Sequence, residues 1–168
     1  MSGADVLVDG YDRIKEVVHD ATRGLDEEAL LFRVDPAANP IAWLVWHLTR
    51  VQDDHLAGAA GTEQVWLTEG WRDRFALPFD ELDIGYGHTS EQVAQVRAGV
   101  ELLLGYHDAV HERATAYVGG LTDAELAEVI DAEWSPPVTR GVRLVSVLAD
   151  GLQHAGQAAF VRGIAERR

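Results

Sequence analysis

Two pairs of polar residues have the spacing of metal ligands on one face of a helix. Asp150 and His154 form the first pair, His107 and His111 form the second, and the members of each pair are four residues apart. Residues four apart lie about 40° from each other around a helix axis, so both side chains can reach one ion. Each pair is therefore a candidate metal half-site. The alternative for each is a hydrogen-bonded polar pair at a helix boundary.

A third candidate is His47, which lies in the most apolar turn of the chain, Trp43-Leu-Val-Trp46-His47-Leu48. A histidine in such surroundings has to satisfy two ring nitrogens away from water. It can do so as a metal ligand or as a core histidine that binds a backbone carbonyl. His55 lies beside Asp53 and Asp54, and we interpret this group as solvated.

The segment Gly85-Tyr86-Gly87-His88 can act in two ways. It can direct Tyr86 and His88 into a pocket, or it can be a turn that leads the chain into a helix starting at Ser90. The sequence contains no glycine-rich phosphate loop, no nucleophile elbow and no His-Glu-x-x-His motif. The histidines and Asp150 are therefore the best candidates for chemistry.

The composition excludes several kinds of site and partner. The chain has 168 residues with no cysteine, so any metal has to be held by His, Asp or Glu, and any thiol has to come from another molecule. Its 28 acidic and 14 basic residues give a net charge of −14, without the clustered Lys and Arg that bind phosphates. We expect no nucleic-acid partner. Neither a secretory signal nor a membrane-spanning apolar run is present, which predicts a soluble cytoplasmic protein.

The elements that have to position these residues are helices. Apolar periodicity predicts four long helices and one short one, with no convincing strand alternation, so the fold class is all-α in a single domain, 1–168. Four long helices favour an antiparallel bundle. The connection between the second and third helices, 59–89, is long and rich in aromatic residues, which favours a structured cap or lid. The predicted long helices are 4–23, 41–58, 90–118 and 140–166, and the short one is 121–129.

Two segments of the chain resemble one family. They are Trp43-Leu-Val-Trp46-His47-Leu-Thr-Arg50-Val-Gln52-Asp53-Asp54-His55 and Asp150-x-x-x-His154-Ala-Gly156-Gln157 with Arg162. Together they resemble the DinB-like superfamily, and more narrowly its actinobacterial branch with the mycothiol-dependent maleylpyruvate isomerase. The resemblance covers nearly the whole chain. It implies a four-helix bundle with up-down-down-up topology and a divalent metal at one end.

The resemblance also implies the ligand set. One ligand comes from the second helix, here His47, and two come from one turn of the last helix, here Asp150 and His154. The position of Asp150 is commonly histidine in the superfamily and glutamate in the isomerase group. The shorter aspartate leaves two alternatives, direct coordination or coordination through a water. Zinc is favoured, and nickel, iron and manganese also suit these ligands. The pair His107 and His111 is then expected to have a surface or boundary role.

The function that the resemblance implies is a metal-dependent thiol transferase or a thiol-dependent isomerase, with mycothiol as the thiol and a small-molecule substrate. The isomerase has a further C-terminal domain and this chain ends at the bundle, which argues against the isomerase reaction specifically. The alternatives are a metal-stabilised binding or stress-response module and a metal-assisted hydrolase. A homodimer is possible. Candidates for the substrate pocket are Arg50, Tyr86, His88, Gln157 and Arg162, with either arginine available for a substrate carboxylate.

Overall fold

The computed structural model describes residues 1–167, and Arg168, the last residue of the predicted domain, lies outside this range. The chain is mostly helical, as predicted, with one small two-stranded sheet. No helix within the described range is both long enough and apolar enough to cross a membrane. The elements are α1 (Gly3–Thr22), α2 (Glu27–Leu30), α3 (Ile41–Ala60), α4 (Val65–Thr68), α5 (Trp71–Phe75), α6 (Ser90–Val93), α7 (Val100–Gly119), α8 (Asp123–Leu126), β1 (Val129–Asp131), β2 (Val138–Thr139) and α9 (Arg140–Ala165).

The long helices α1, α3 and α9 lie close to their predicted positions because the sequence marks their ends. Ser2 and Asp5 form a capping box at the start of α1. Thr139 accepts a hydrogen bond from the backbone N–H of Val142 at the start of α9. Helix α3 continues two residues beyond the predicted end and stops where Gly61 adopts the left-handed conformation.

The predicted helix over 90–118 is wrong in its first third. The chain forms the short helix α6, leaves the helical conformation, and begins α7 only after Gly99. Val96 and Ala98, between the two helices, are both buried in the core. The spacing of Val93, Val96 and Val100 resembles a helical stripe, but Val96 and Ala98 pack a bent segment of the chain against the core.

The predicted helix over 121–129 is also too long. Helix α8 is a single turn, capped by Thr122 and Glu125, and β1 follows it. Strand β1 pairs with β2 in antiparallel orientation, with Val129 opposite Thr139. Strands of three and two residues are too short to display a repeating alternation, so the sequence did not predict them.

Contacts along the four long helices define their relative directions. The hydroxyl of Tyr11 donates to the carbonyl of Leu144 near the start of α9, and Arg162 near its end donates to the carbonyl of Arg23, so α1 and α9 run in the same direction. Helix α3 runs opposite to α9, because Arg140 at the start of α9 donates to the carbonyl of Ala59 at the end of α3.

Helix α7 packs between α1 and α3. It runs opposite to α1, since Asp108 contacts His19 near the end of α1 while Gly119 lies beside Val8. It runs in the same direction as α3, because His107 contacts Thr49 and Tyr117 donates to the carbonyl of Ala59.

The connection between α3 and α7 is a structured part of the core. The rings of Trp66, Trp71 and Phe75 surround Tyr106 of α7, with ring centroids 5.2, 5.7 and 5.8 Å away. Asp53 of α3 is 4% exposed and accepts hydrogen bonds from the backbone N–H groups of Val65 and Trp66, at 2.8 and 2.7 Å. The interpretation of Asp53 as solvated was wrong, because this carboxylate caps α4 from inside the protein.

Candidate metal centre

Three side chains that can ligate a metal converge between α3 and α9. His47 comes from α3, and Asp150 and His154 come from successive turns of α9. One ligand atom from each lies within 4.8 Å of the others. Because α3 and α9 pack in opposite directions, residues distant in the sequence face each other across their contact. The rings of His47 and His154 are 4.8 Å apart, with their planes nearly perpendicular.

His47 is held in one orientation by its surroundings. Its Nδ1 lies 2.5 Å from the carbonyl oxygen of Ile84, and its ring stacks on Trp43 with centroids 4.5 Å apart. A carbonyl only accepts, so Nδ1 carries the proton and the lone pair is on Nε2. Burial lowers the pKa of His47, which keeps the ring neutral. A neutral imidazole fixed by a hydrogen bond at its other nitrogen is the usual form of a metal-ligating histidine.

The turn that supplies the Ile84 carbonyl requires a glycine at position 85. Gly85 has a φ of +89°, and a Cβ there would lie 2.9 Å from Nδ1 of His47 and 2.9 Å from the ring of Trp46. Real side chains do not tolerate such distances, so only glycine lets the backbone approach His47 this closely. Ile84 and Gly85 were not recognised as part of the site from the sequence, and the glycines flanking Tyr86 were the available signal.

The two α9 residues also present free ligand atoms. Nδ1 of His154 lies 2.8 Å from Oε1 of Gln157, so its Nε2 faces Asp150, whose Oδ1 is 3.5 Å away. The other oxygen, Oδ2 of Asp150, is buried and has no hydrogen-bond partner among residues 1–167. A buried carboxylate oxygen without a donor is costly, and a cation would satisfy it.

The pKa values of this pair reflect burial and their mutual contact. Burial raises the pKa of Asp150, but the hydrogen bond with His154 and the charges of His154 and His47 outweigh it, so the net pKa is lowered. The hydrogen bond to Asp150 raises the pKa of His154. Asp150 is therefore ionised at neutral pH, and protonation of His154 would compete with metal binding. Two imidazole nitrogens and a carboxylate oxygen fit a divalent ion and leave coordination positions open.

Comparison with protein families assigns the chain. Residues 6–166 match the family model described as mycothiol-S-transferase. The chain belongs to the mycothiol-S-transferase family. This family is part of the DinB-like superfamily, which confirms the resemblance found in the sequence.

One solved structure is similar over the full length of this family member. It is described as the crystal structure of a conserved protein from Enterococcus faecalis, with 30% sequence identity and a TM-score of 0.92. The match covers 100% of this chain and 99% of the other. A search of curated proteins found no match.

In this member of the mycothiol-S-transferase family, the proposed pocket residues have different environments. Gln157 contacts His154, as described above. Nδ1 of His88 accepts a hydrogen bond from Trp43 at 3.2 Å, so its Nε2 carries the proton and points at Asp83, 3.1 Å away. Both ring nitrogens of His88 are therefore occupied, one by Trp43 and the other by Asp83. Tyr86 is 90% exposed at the tip of the turn.

The guanidinium groups of the two candidate arginines are bound to the protein. Arg50 is fully buried and donates to Gln64, at 2.8 Å, and to Tyr106, at 3.2 Å. Arg162 donates to the carbonyls of Asp20 and Arg23 at the end of α1. These contacts join helices to each other, and a role for either arginine in binding substrate stays a prediction.

The predicted surface or boundary role is wrong for His107, whereas His111 lies at the edge of the core beside the exposed Asp12. His107 is completely buried and His111 is 8% exposed. His107 contacts Thr49 through Nδ1 at 3.1 Å, and His111 contacts Asp12 through Nε2 at 3.0 Å. Their ring centroids are 6.5 Å apart, and each ring is directed at a different helix. Burial lowers the pKa of His107 to about 3, so this histidine is a neutral core residue.

Proposed function

We propose that this protein is a divalent-metal-dependent S-transferase that joins a low-molecular-weight thiol, mycothiol or a close relative, to an electrophilic small molecule. The observation that carries the proposal is the convergence of His47, Asp150 and His154, with the unpartnered Oδ2 of Asp150, in a member of the mycothiol-S-transferase family. Zinc is the metal we favour, and nickel, iron or manganese suit the same ligands.

A bound divalent ion would lower the pKa of a thiol and so supply a thiolate at neutral pH. The residues of the chain prepare the site for this. The Ile84 carbonyl fixes His47 with Nε2 toward the site, and Gln157 does the same for His154. The side chains of His154 and Asp150 are 19% and 34% exposed, so a solute can reach the site from the solvent.

The transfer itself needs one bond to form and one to break. The thiolate sulfur forms a bond to carbon of the electrophile, and either a leaving group departs with the bonding electrons or a double bond opens and takes up the proton released from the thiol. No cysteine of the protein takes part, because the chain has none. We propose that Gln157 and Tyr86 line the substrate pocket, next to the ligands of α9. His88 would support the turn that carries Tyr86, through its hydrogen bonds with Trp43 and Asp83.

We also propose that the four long helices form the up-down-down-up bundle of the superfamily within one domain. The contacts that support it are those between α1 and α9 in the same direction and between α3 and α9 in opposite directions. Helix α7 then runs with α3. In this arrangement the second connection, after α3, carries the turn at Gly85, and the third, after α7, carries the strands β1 and β2.

Metal analysis of purified protein tests the ligand set. Protein prepared without a metal-affinity column is measured by elemental analysis, beside the variants His47→Ala and His154→Ala. We expect both variants to lose the metal and the control His19→Ala to keep it, because His19 binds Asp108 on another face. Metal retained at the wild-type level in both ligand variants would contradict the site.

Thiol dependence tests the activity. Metal-loaded protein is incubated with a generic electrophile, such as a halogenated aromatic or an α,β-unsaturated carbonyl compound, with and without mycothiol. We expect consumption of the electrophile only in the presence of thiol and only with metal bound. Turnover that is independent of thiol would point to a hydrolase, and no turnover with melting on metal removal would point to a binding module.

A further inference from the structure

A polar groove lies near the candidate metal centre, between α3, β1 and α9. It has a volume of about 370 Å³. Four side chains give it its chemical character, Asp54 and His55 from α3, Asp131 from β1 and Arg143 from α9. These side chains are between 27% and 32% exposed, so each can contact a solute in the groove while remaining supported by the protein.

The groove lies on the same faces of α3 and α9 as the metal ligands. Asp54 is seven residues after His47, and Arg143 is seven residues before Asp150. Seven residues are close to two helical turns, or about 10 Å along the axis. Because α3 and α9 run in opposite directions, both displacements lead toward the same end of the helices.

The floor of the groove is made by residues with small side chains, Gly58 and Ala59. A Cβ at Gly58 would have no atom within 4 Å, so the space above this helical glycine is open. A side chain at this position would therefore start from open space beside the groove.

The walls of the groove offer both hydrogen-bond acceptors and donors. Asp54 accepts from Gln64 and His55, and Asp131 pairs with Nη2 of Arg143 at 3.0 Å. A carboxylate has about four acceptor positions, so both aspartates keep some for a ligand. The remaining N–H groups of Arg143 have no partner within residues 1–167. A hydroxyl group both donates and accepts, so a polyol matches this mixture. A phosphate matches it less well, because the two carboxylates would repel its negative charge.

We propose that this groove binds the polyhydroxylated part of the thiol cosubstrate, the amino-sugar and cyclitol rings of mycothiol, with the thiol end directed toward His47, Asp150 and His154. The proposal rests on the proposed transferase function and names the part of the molecule that gives thiol selectivity. Asp54 and Asp131 accept hydrogen bonds from ring hydroxyls or from the amide N–H of the amino sugar, and Arg143 donates to ring oxygens.

The variant Gly58→Leu tests the groove by filling it. Leucine is a better helix former than glycine and meets open space here, so folding is expected to be preserved. The measured quantities are the KM values for mycothiol and for N-acetylcysteine, a thiol without the rings. We expect the KM for mycothiol to rise about tenfold, as the loss of one or two hydrogen bonds implies, and the KM for N-acetylcysteine to stay within about twofold. Ala116→Leu, on the exposed side of α7, is the matched control.

An unchanged KM for mycothiol, or an equal rise for both thiols, would overturn the proposal. Direct titration with the thiol-free glucosaminyl inositol gives a second measurement that does not depend on turnover. We expect it to bind wild-type protein and Ala116→Leu, and to bind Gly58→Leu about tenfold more weakly. If the protein shows no thiol-dependent activity, the proposed function fails. Absence of glucosaminyl inositol binding to wild-type protein at millimolar concentration would refute the groove whether or not there is turnover.

Discussion

Substitution of Gly85 by alanine would separate the role of the turn from that of the ligands. The added Cβ would lie 2.9 Å from Nδ1 of His47 and 2.9 Å from the Trp46 ring, so the turn has to move away from α3. The Ile84 carbonyl would move with it, and His47 would lose the hydrogen bond that fixes its orientation. Loss of such an outer partner typically lowers metal affinity by about 10- to 100-fold.

Gly87→Ala is the matched control for this experiment. Gly87 also has a positive φ, +74°, but a Cβ there would have no atom within 4 Å. Both variants therefore carry the same backbone penalty, about 1–2 kcal/mol for a non-glycine residue in the left-handed region. Only in Gly85→Ala would the new Cβ lie too close to His47.

The assay is a competition titration of metal between the protein and a chromophoric chelator, with urea unfolding of the metal-free proteins beside it. We expect both alanine variants to lose a similar free energy of unfolding from backbone strain, with an additional loss in Gly85→Ala from its close contacts. We expect Gly87→Ala to keep wild-type metal affinity and Gly85→Ala to lose about one to two orders of magnitude. Equal metal affinities in the two variants would refute the argument that the turn positions His47.

Two further predictions concern the core. Burial lowers the pKa of His107 to about 3. Between pH 6.5 and 3 the unfolded chain therefore binds a proton that the native protein does not. In that window the free energy of unfolding should fall by up to about 1.4 kcal/mol for each pH unit of acidification. Urea unfolding at several pH values should show a shallower acid loss for His107→Gln, and identical slopes would contradict the prediction. Asp53→Ala should lower the free energy of unfolding by about 3–5 kcal/mol, because it leaves Arg50 and two buried N–H groups without their carboxylate. A loss below about 1 kcal/mol in urea unfolding would show that water replaces the carboxylate.

The long helices were predictable because apolar periodicity and capping residues act locally. Ser2 marks the start of α1, Gly24 with its positive φ follows its end, and Thr139 marks the start of α9, and each acts over only three or four residues. The break between α6 and α7 was not predictable in this way. Val96 is buried in a bent segment, and its spacing from Val93 and Val100 is equally compatible with a continuous helix.

The ligand set was reached from the sequence through the resemblance, while spacing alone left two candidate pairs open, Asp150 with His154 and His107 with His111. His107 illustrates why, since it has the same i, i+4 pattern as a ligand pair but is directed toward Thr49 in the core. The Ile84 carbonyl leaves no signal of its own because every residue has a carbonyl, so only the neighbouring glycines, Gly85 and Gly87, could have indicated the turn. Asp53 was misread because its partners, the N–H groups of Val65 and Trp66, become its neighbours only when the connection folds back.

The three ligands also have a consequence for the mechanics of the chain. His47 and Asp150 are separated by about 100 residues, and a covalent link that closes a loop of this size stabilises a protein by about 4–5 kcal/mol in the chain-entropy treatment. A protein without cysteine has no disulfide with which to make such a link. A coordinated ion at His47, Asp150 and His154 would act as a reversible cross-link between the second and last long helices. Metal dissociation would then limit the rate of unfolding, and chelators would increase that rate.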